Sequence, residues 1–136
     1  MNAPFAVCMG YGWDSTAMLI EMERRGERPA LITFADTGAE KQGTYEFIPV
    51  FEQWCRDHDF PVPTICAYEP KADTSARYQA AVQSVAKRLG LELAPLQLRR
   101  LSRIYGNLVA NDTLPGIAFG PKSCSIKWKL EAQEPT

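Results

Sequence analysis

One histidine, His58, is all the imidazole the chain has, and its four cysteines, Cys8, Cys55, Cys66 and Cys124, stand far apart with no Cys-x-x-Cys pair. A zinc site built from local ligand pairs is therefore not expected. An iron–sulfur cluster would need all four thiols to converge from distant places. The expectation is three buried thiols, with Cys124 set apart by its neighbours. Charge of one sign is also lacking. Fifteen Lys and Arg against 16 Asp and Glu leave a net charge of −1. No large basic surface is on hand for long duplexes, so nucleic acid is not expected as the main partner. No apolar run approaches the roughly 18 residues of a membrane span. The N-terminus lacks the basic start and long apolar core of a secretion signal. These absences point away from a membrane and towards the cytoplasm.

What is present is globular composition: 136 residues, 46% apolar and 23% charged. That is the size of one ordinary domain. Residues 3–9 read as a short buried strand, followed by a Gly-containing loop and a helix from about Asp14 to Arg25. Met18, Leu19 and Met22 share one helical face, and Gly26 suits the stop. Ala30 to Ala35 is a second apolar strand that ends at Asp36-Thr37-Gly38. A second helix is predicted over 44–58, with Phe47, Phe51, Trp54 and His58 at helical spacing. Pro49 is awkward in a helix interior, which places the expected start near it. Pro61 to Ala67 is a third strand. Strands alternating with amphipathic helices imply an α/β fold, a parallel sheet with right-handed crossovers. Beyond residue 70 the pattern turns helical. Tyr78, Val82, Val85 and Leu89 make one stripe closed by Gly90. Leu98, Leu101, Tyr105 and Leu108 make another, with Arg99, Arg100 and Arg103 turned away and Pro95 between the two stripes. The placement of the 71–104 segment is left open. Glu131 to Thr136 shows no clear element, and the chain reads as one domain, 1–136, cut short where a longer protein would continue.

Ligands of open α/β sheets bind at the carboxyl ends of the strands. There the first strand meets Gly10-Tyr11-Gly12-Trp13-Asp14-Ser15-Thr16. Glycines let a backbone approach a phosphate, and the helix that follows offers free N–H groups and a positive dipole end. Ser15 and Thr16 add hydroxyl donors. Asp14 would repel a phosphate directly but suits a metal ion that bridges phosphates. The Walker loop is absent. A dinucleotide loop would need Gly where Ser15 stands, although Asp36 occupies the place of its acidic partner. The third reading is a pyrophosphate loop, Ser-Gly-Gly-x-Asp-Ser or a near variant. Gly12, Asp14 and Ser15 match it, while Gly10 replaces its Ser and Tyr11 a frequent Gly. A plain Gly turn with Asp14 as helix cap is the bland alternative.

Further segments carry a family resemblance. Phe34-Ala35-Asp36-Thr37-Gly38-Ala39-Glu40-Lys41 resembles the Asp-Thr-Gly motif of the phosphoadenosine phosphosulfate (PAPS) reductase family. Leu114–Gly120 leads into Lys122-Ser123-Cys124-Ser125-Ile126-Lys127-Trp128-Lys129, which resembles the Lys-x-Cys-Ser-x-Lys-Trp-Lys segment of PAPS-reductase-like proteins of phages and bacteria. These belong to the adenine nucleotide α-hydrolase superfamily, whose pyrophosphate (PP) loop is the motif above. The resemblance covers roughly 5–70 and 104–130. It implies a Rossmann-like sheet flanked by helices with a helical C-terminal portion. ATP or PAPS would be held by the first loop, with ATP split between its α and β phosphates to adenylate an unknown acceptor. Gly10, Gly12, Ser15 and Thr16 would grip the phosphates, with Tyr11 and Trp13 beside them. Asp14 would hold Mg²⁺, backbone groups at Phe34, Ala35, Asp36, Thr37 and Gly38 would receive the adenosine, and Asp36 would make a second metal contact or hold a ribose hydroxyl. Such chemistry needs cations on the developing charge, and Lys122, Lys127 and Lys129 are the candidates. Asp14, Ser15, Lys122, Cys124 and Lys127 are the expected catalytic set.

The family's C-terminal Glu-Cys-Gly-x-His-type motif is missing, which argues against sulfate reduction by this chain alone. Cys124 is then a candidate thiol nucleophile or sulfur carrier, since nearby lysines would lower its pKa; a structural cysteine is the alternative. Two rival functions stay open at this point: a nucleotide-binding module without turnover, and a dinucleotide-dependent oxidoreductase. A homodimer is among the open assemblies.

Overall fold

The computed structural model describes residues 3–113 and 126–133, apart from the side chains of residues 126 and 127. It is an α/β structure in two compact units. The first comprises residues up to Ala35 together with Glu40–Cys66; the second comprises Asp36–Ala39 and residues from Ala67 onward.

The first unit is a three-stranded parallel sheet in the order β1 (Ala6–Met9), β2 (Leu31–Ala35), β3 (Thr64–Cys66). Helix α1 (Trp13–Arg24) connects β1 to β2 and α2 (Gln42–Asp57) connects β2 to β3. The register pairs Val7 with Ile32 and Met9 with Phe34, so these four side chains share one face. Leu19 of α1 and Phe51 and Cys55 of α2 join them in one buried cluster. Both helices therefore cover the same face, as right-handed crossovers between successive neighbouring strands require. Leu19, Ile32 and Cys55 are wholly excluded from solvent. Burying side chains the size of Leu19 or Ile32 contributes about 2 kcal/mol each. This sheet order is compatible with a Rossmann-like half-sheet.

The second unit is helical: α3 (Ala72–Arg88), α4 (Pro95–Leu101), α5 (Ile104–Ala110), then a short wide-turn helical segment Ile126–Leu130 and a 3-10 turn Glu131–Gln133. Pro95 opens α4 at the position where its missing N–H costs nothing, and the Gln97 side chain accepts from the Ala94 N–H at 3.0 Å. Helix α5 crosses α3 closely because Gly106 has no side chain; a Cβ there would stand 2.7 Å from Tyr78 Cβ.

Several expectations need correction. Helix α2 begins at Gln42, and Pro49 sits inside it instead of near its start. The aromatic stripe supplies the compensation. Phe51 stacks on Trp54 at 5.3 Å and Trp54 on His58 at 4.5 Å, and Phe51 anchors in the core. Strands β1 and β3 are shorter than read: β1 begins at Ala6, with Phe5 tied to Ala30 by one backbone hydrogen bond just outside the ladder, and β3 spans only Thr64–Cys66. Met18 is 42% exposed while Leu19 and Met22 face the core. Leu89 is exposed past the end of α3, and Ala86 takes the inward place. The stripe from Leu98 to Leu108 is two helices, not one, broken at Ser102–Arg103. Arg103 is not turned away but buried, drawn in by the acids it pairs with. Of the cysteines described, Cys55 alone is buried; Cys8 is exposed and Cys66 intermediate, because Cys8 points to the face of β1 opposite the α1–α2 core. Glu131–Gln133 does form a turn of helix. No helix among the described residues is long and apolar enough to cross a membrane.

Candidate functional site

The loop between β1 and α1 is held by its own side chains. Ser15 Oγ accepts the Gly10 N–H at 3.3 Å and donates to the Gly12 carbonyl at 3.2 Å. Tyr11 takes a left-handed backbone, φ 53°, a conformation that disfavours side chains other than glycine. Its ring compensates by filling an aromatic box, edge-on to Phe34 at 4.8 Å and to Phe51 at 5.9 Å. The Tyr11 hydroxyl is buried without a hydrogen-bond partner. Burial, and then the negative Glu52, pushes its pKa well above the ordinary phenol value.

Beside this loop lies a cleft of about 570 Å³ within the first unit. Tyr11, Gly12, Trp13 and Thr16 form one wall; Lys41, Gly43, Thr44 and Phe47 form the other. The first wall is the start of α1 and the second the start of α2, so two helix N-termini open onto one space. Their N-caps, Gly12 and Lys41, make no side-chain capping hydrogen bond. Uncapped first turns leave backbone N–H groups unsatisfied, and both dipoles present their positive ends. Lys41 adds a full charge, while Thr16 Oγ1 is buried behind the wall without a hydrogen-bond partner. The space beyond Gly12 is open, with nothing within 4 Å of a Cβ built there. Trp13 is 94% exposed at the rim. The arrangement suits an anionic group carried on an aromatic or apolar body.

The structure thus brings Tyr11, Gly12, Trp13 and Thr16 together. Gly10, Asp14 and Ser15 belong to the same loop but are not among the cleft's described walls; Asp14 is exposed in the first turn of α1. Phe34 and Ala35 are buried, Phe34 as a core residue, and do not line it either. Asp36, Thr37 and Gly38 belong to the second unit. There Asp36 Oδ1 accepts the Gly38 N–H at 2.9 Å and Oδ2 accepts from Arg103 Nη1 at 2.8 Å. Among the described residues no group of three or more His, Cys, Asp or Glu side chains is placed to hold a metal. Lys129 is exposed in the second unit. Lys122, Cys124 and the side chain of Lys127 lie outside the described residues.

Lys41, Gly43 and Thr44 are wall residues that the sequence reading did not single out. Starting the second helix at 44, with its start drawn towards Pro49, hid them, because it left Lys41 and Gly43 outside any helix N-terminus. The signal available was the polar run Glu40-Lys41-Gln42-Gly43-Thr44 directly after a strand, at the end where α/β ligands bind. Compared with family models, with curated proteins and with solved structures, the chain finds no match.

Proposed function

We propose that the first unit binds the phosphate-bearing part of an adenine nucleotide, ATP or PAPS, and that the fold is of the PP-loop, adenine nucleotide α-hydrolase type. The observation that carries this reading is the single cleft onto which the uncapped starts of α1 and α2 both open. A polyphosphate placed there meets backbone N–H groups from two helices and the Lys41 ammonium. The volume is of the order of small-molecule sites, roughly 300–1,000 Å³. Gly12 leaves the approach clear.

The activity that follows from the family resemblance is cleavage between the α and β phosphates, with transfer of the adenylate to an acceptor. Asp14, exposed on the first turn of α1 beside the cleft residue Trp13, is the carboxylate that would hold Mg²⁺, an ion commonly bound through one or two carboxylates plus substrate. The ion, when bound, would neutralise the polyphosphate. The chain's own part is to orient: the starts of α1 and α2 hold the leaving pyrophosphate, and Lys41 faces its charge. Lys122, Lys127, Lys129 and Cys124 keep the roles of charge stabilisers and thiol in this proposal. A dinucleotide oxidoreductase is less well supported, because it asks Asp36 to hold ribose while Gly38 and Arg103 already engage both its oxygens.

Calorimetric titration with ATP–Mg²⁺ tests the binding. Wild type is expected to bind saturably, and a folded Gly12→Val protein to lose that binding because its side chain fills the open approach. Unchanged affinity in folded Gly12→Val overturns the site. Release of AMP and pyrophosphate separates an enzyme from a module that binds without turnover.

A further inference from the structure

We infer that the second unit carries a small-oxyanion site, in which the sulfate or phosphate group of a small ligand replaces the Glu69 carboxylate on Arg99 and Arg103. A pocket of about 250 Å³ opens between α3 and α4, lined by Glu69, Ser75, Gln79, Leu98, Arg99 and Arg103 among others. Inside it one oxygen, Glu69 Oε1, accepts from both guanidinium groups, Arg99 Nη2 at 3.3 Å and Arg103 Nη2 at 3.0 Å. An oxygen shared by two guanidinium groups sits where an oxyanion is best recognised.

The two sides of this contact differ in freedom. The Arg103 side chain is 10% exposed and fixed from behind by Asp36, so its cation stays in place whatever Glu69 does. Its Nε is buried without a hydrogen-bond partner. The Glu69 side chain is 48% exposed and Arg99 lies further out still. Glu69 can therefore swing into water at small cost, while the cationic floor remains organised. With Glu69 in place, Arg99 and Arg103 are balanced by Glu69 and Asp36. With Glu69 withdrawn, one positive charge is in excess, and a tetrahedral anion can give each arginine its own oxygen. Ser75 and Gln79 add a hydroxyl and an amide on the α3 side. Leu98, with Pro70 and Pro95, provides an apolar wall for the rest of the ligand. The space falls below the roughly 300 Å³ of drug-sized sites, so the ligand is small. This site lies within the second unit and stands apart from the nucleotide reading.

Inorganic sulfate and phosphate, titrated separately into the full chain at constant ionic strength with chloride, are the probes, and backbone amide shifts are the readout. The expected result is a saturable shift at Ser75, Gln79 and Ser102. Glu69→Gln, which removes the competing charge at constant size, is expected to tighten sulfate binding, and Arg99→Ala to weaken it, each by about tenfold. Arg99 is mostly exposed, so its loss is not expected to unfold the chain. A stronger response to one anion identifies which group the ligand carries. No saturable shift at these amides overturns the site, as do shifts confined to Gly10–Thr16 or a response that Arg99→Ala leaves unchanged.

Discussion

Asp36 and Arg103 form an ion pair at 2.8 Å with both side chains about 10% exposed, and the Asp36 carboxylate also accepts the Gly38 N–H. Without the Asp36 charge Arg103 keeps only the half-exposed Glu69 as a counter-charge, and breaking a buried ion pair costs about 3 kcal/mol. Asp36→Asn keeps the shape and removes the charge, so it is expected to lower the urea midpoint strongly in the absence of any ligand or metal. A midpoint equal to wild type would show that this carboxylate is not structural, and would return it to the list of ligand-binding groups.

Gly38 and Gly12 predict opposite responses to the same change. Gly38 has φ 78°, and an added Cβ would collide with the Arg100 carbonyl. Gly12 has φ −85° and open space. Gly38→Ala is expected to destabilise by about 2 kcal/mol or more, and Gly12→Ala by less than about 1 kcal/mol. Thermal melts of the two variants side by side check this; a larger loss for Gly12→Ala would mean that the loop is closed, not open.

The sequence carried the β–α–β–α–β order because each strand ends in turn residues, α2 has a strong apolar period, and α1 is bracketed by the Gly10–Gly12 loop and Gly26. The loop was legible for the same reason, since Gly10 to Thr16 follows a strand. What stayed hidden depended on partners far away in the chain. Arg103 read as a solvent-facing arginine beside two others, and only its acids, Asp36 and Glu69, pull it inward. Pro49 read as a helix boundary, yet packing of Phe51 and Cys55 keeps α2 continuous through it. Cys8 read as buried because its strand is apolar; its register places it opposite the covered face.

Cys55 gives the chain an alkaline weakness. Burial, joined by the negative Glu52 and opposed by Arg56, pushes the thiol from 9.0 up to about 11. Between these values the unfolded thiol has lost its proton and the folded one has kept it. The unfolded state then binds fewer protons, so stability falls as pH rises from about 9 to about 11, by up to about 2 kcal/mol. Below pH 9 this contribution is fully present. Urea unfolding at pH 8 and pH 10 should show a smaller alkaline loss in Cys55→Ala than in wild type. Equal losses would mean that Cys55 is not the titrating group.

Tyr11 divides into a ring that matters and a hydroxyl that does not. The ring fills the space between Phe34 and Phe51 and holds the left-handed turn; the hydroxyl is buried without a partner. Removing an unsatisfied polar atom is neutral or stabilising, whereas deleting a packed aromatic ring costs about 3–5 kcal/mol, offset in part by the backbone freedom of glycine. Tyr11→Phe is expected to unfold at or above the wild-type midpoint, and Tyr11→Gly well below it. Substantial destabilisation in Tyr11→Phe would reveal a hydroxyl contact.

Asp14 has two physical roles to choose between. A carboxylate in the first turn of α1 favours the helix by interacting with its positive end, a contribution of about 0.3–1 kcal/mol that needs no ligand. The same carboxylate beside a polyphosphate is repulsive unless a cation stands between them. Under the nucleotide proposal Asp14 acts through Mg²⁺, so Asp14→Asn should weaken ATP binding in Mg²⁺ while leaving it equal or tighter in EDTA, where the repulsion has been removed. The helix contribution appears separately, as a small drop in melting temperature that is the same in both buffers. If Asp14→Asn lowers ATP affinity equally with and without Mg²⁺, the metal role is lost, and Asp14 is a residue that shapes the start of α1 and nothing more.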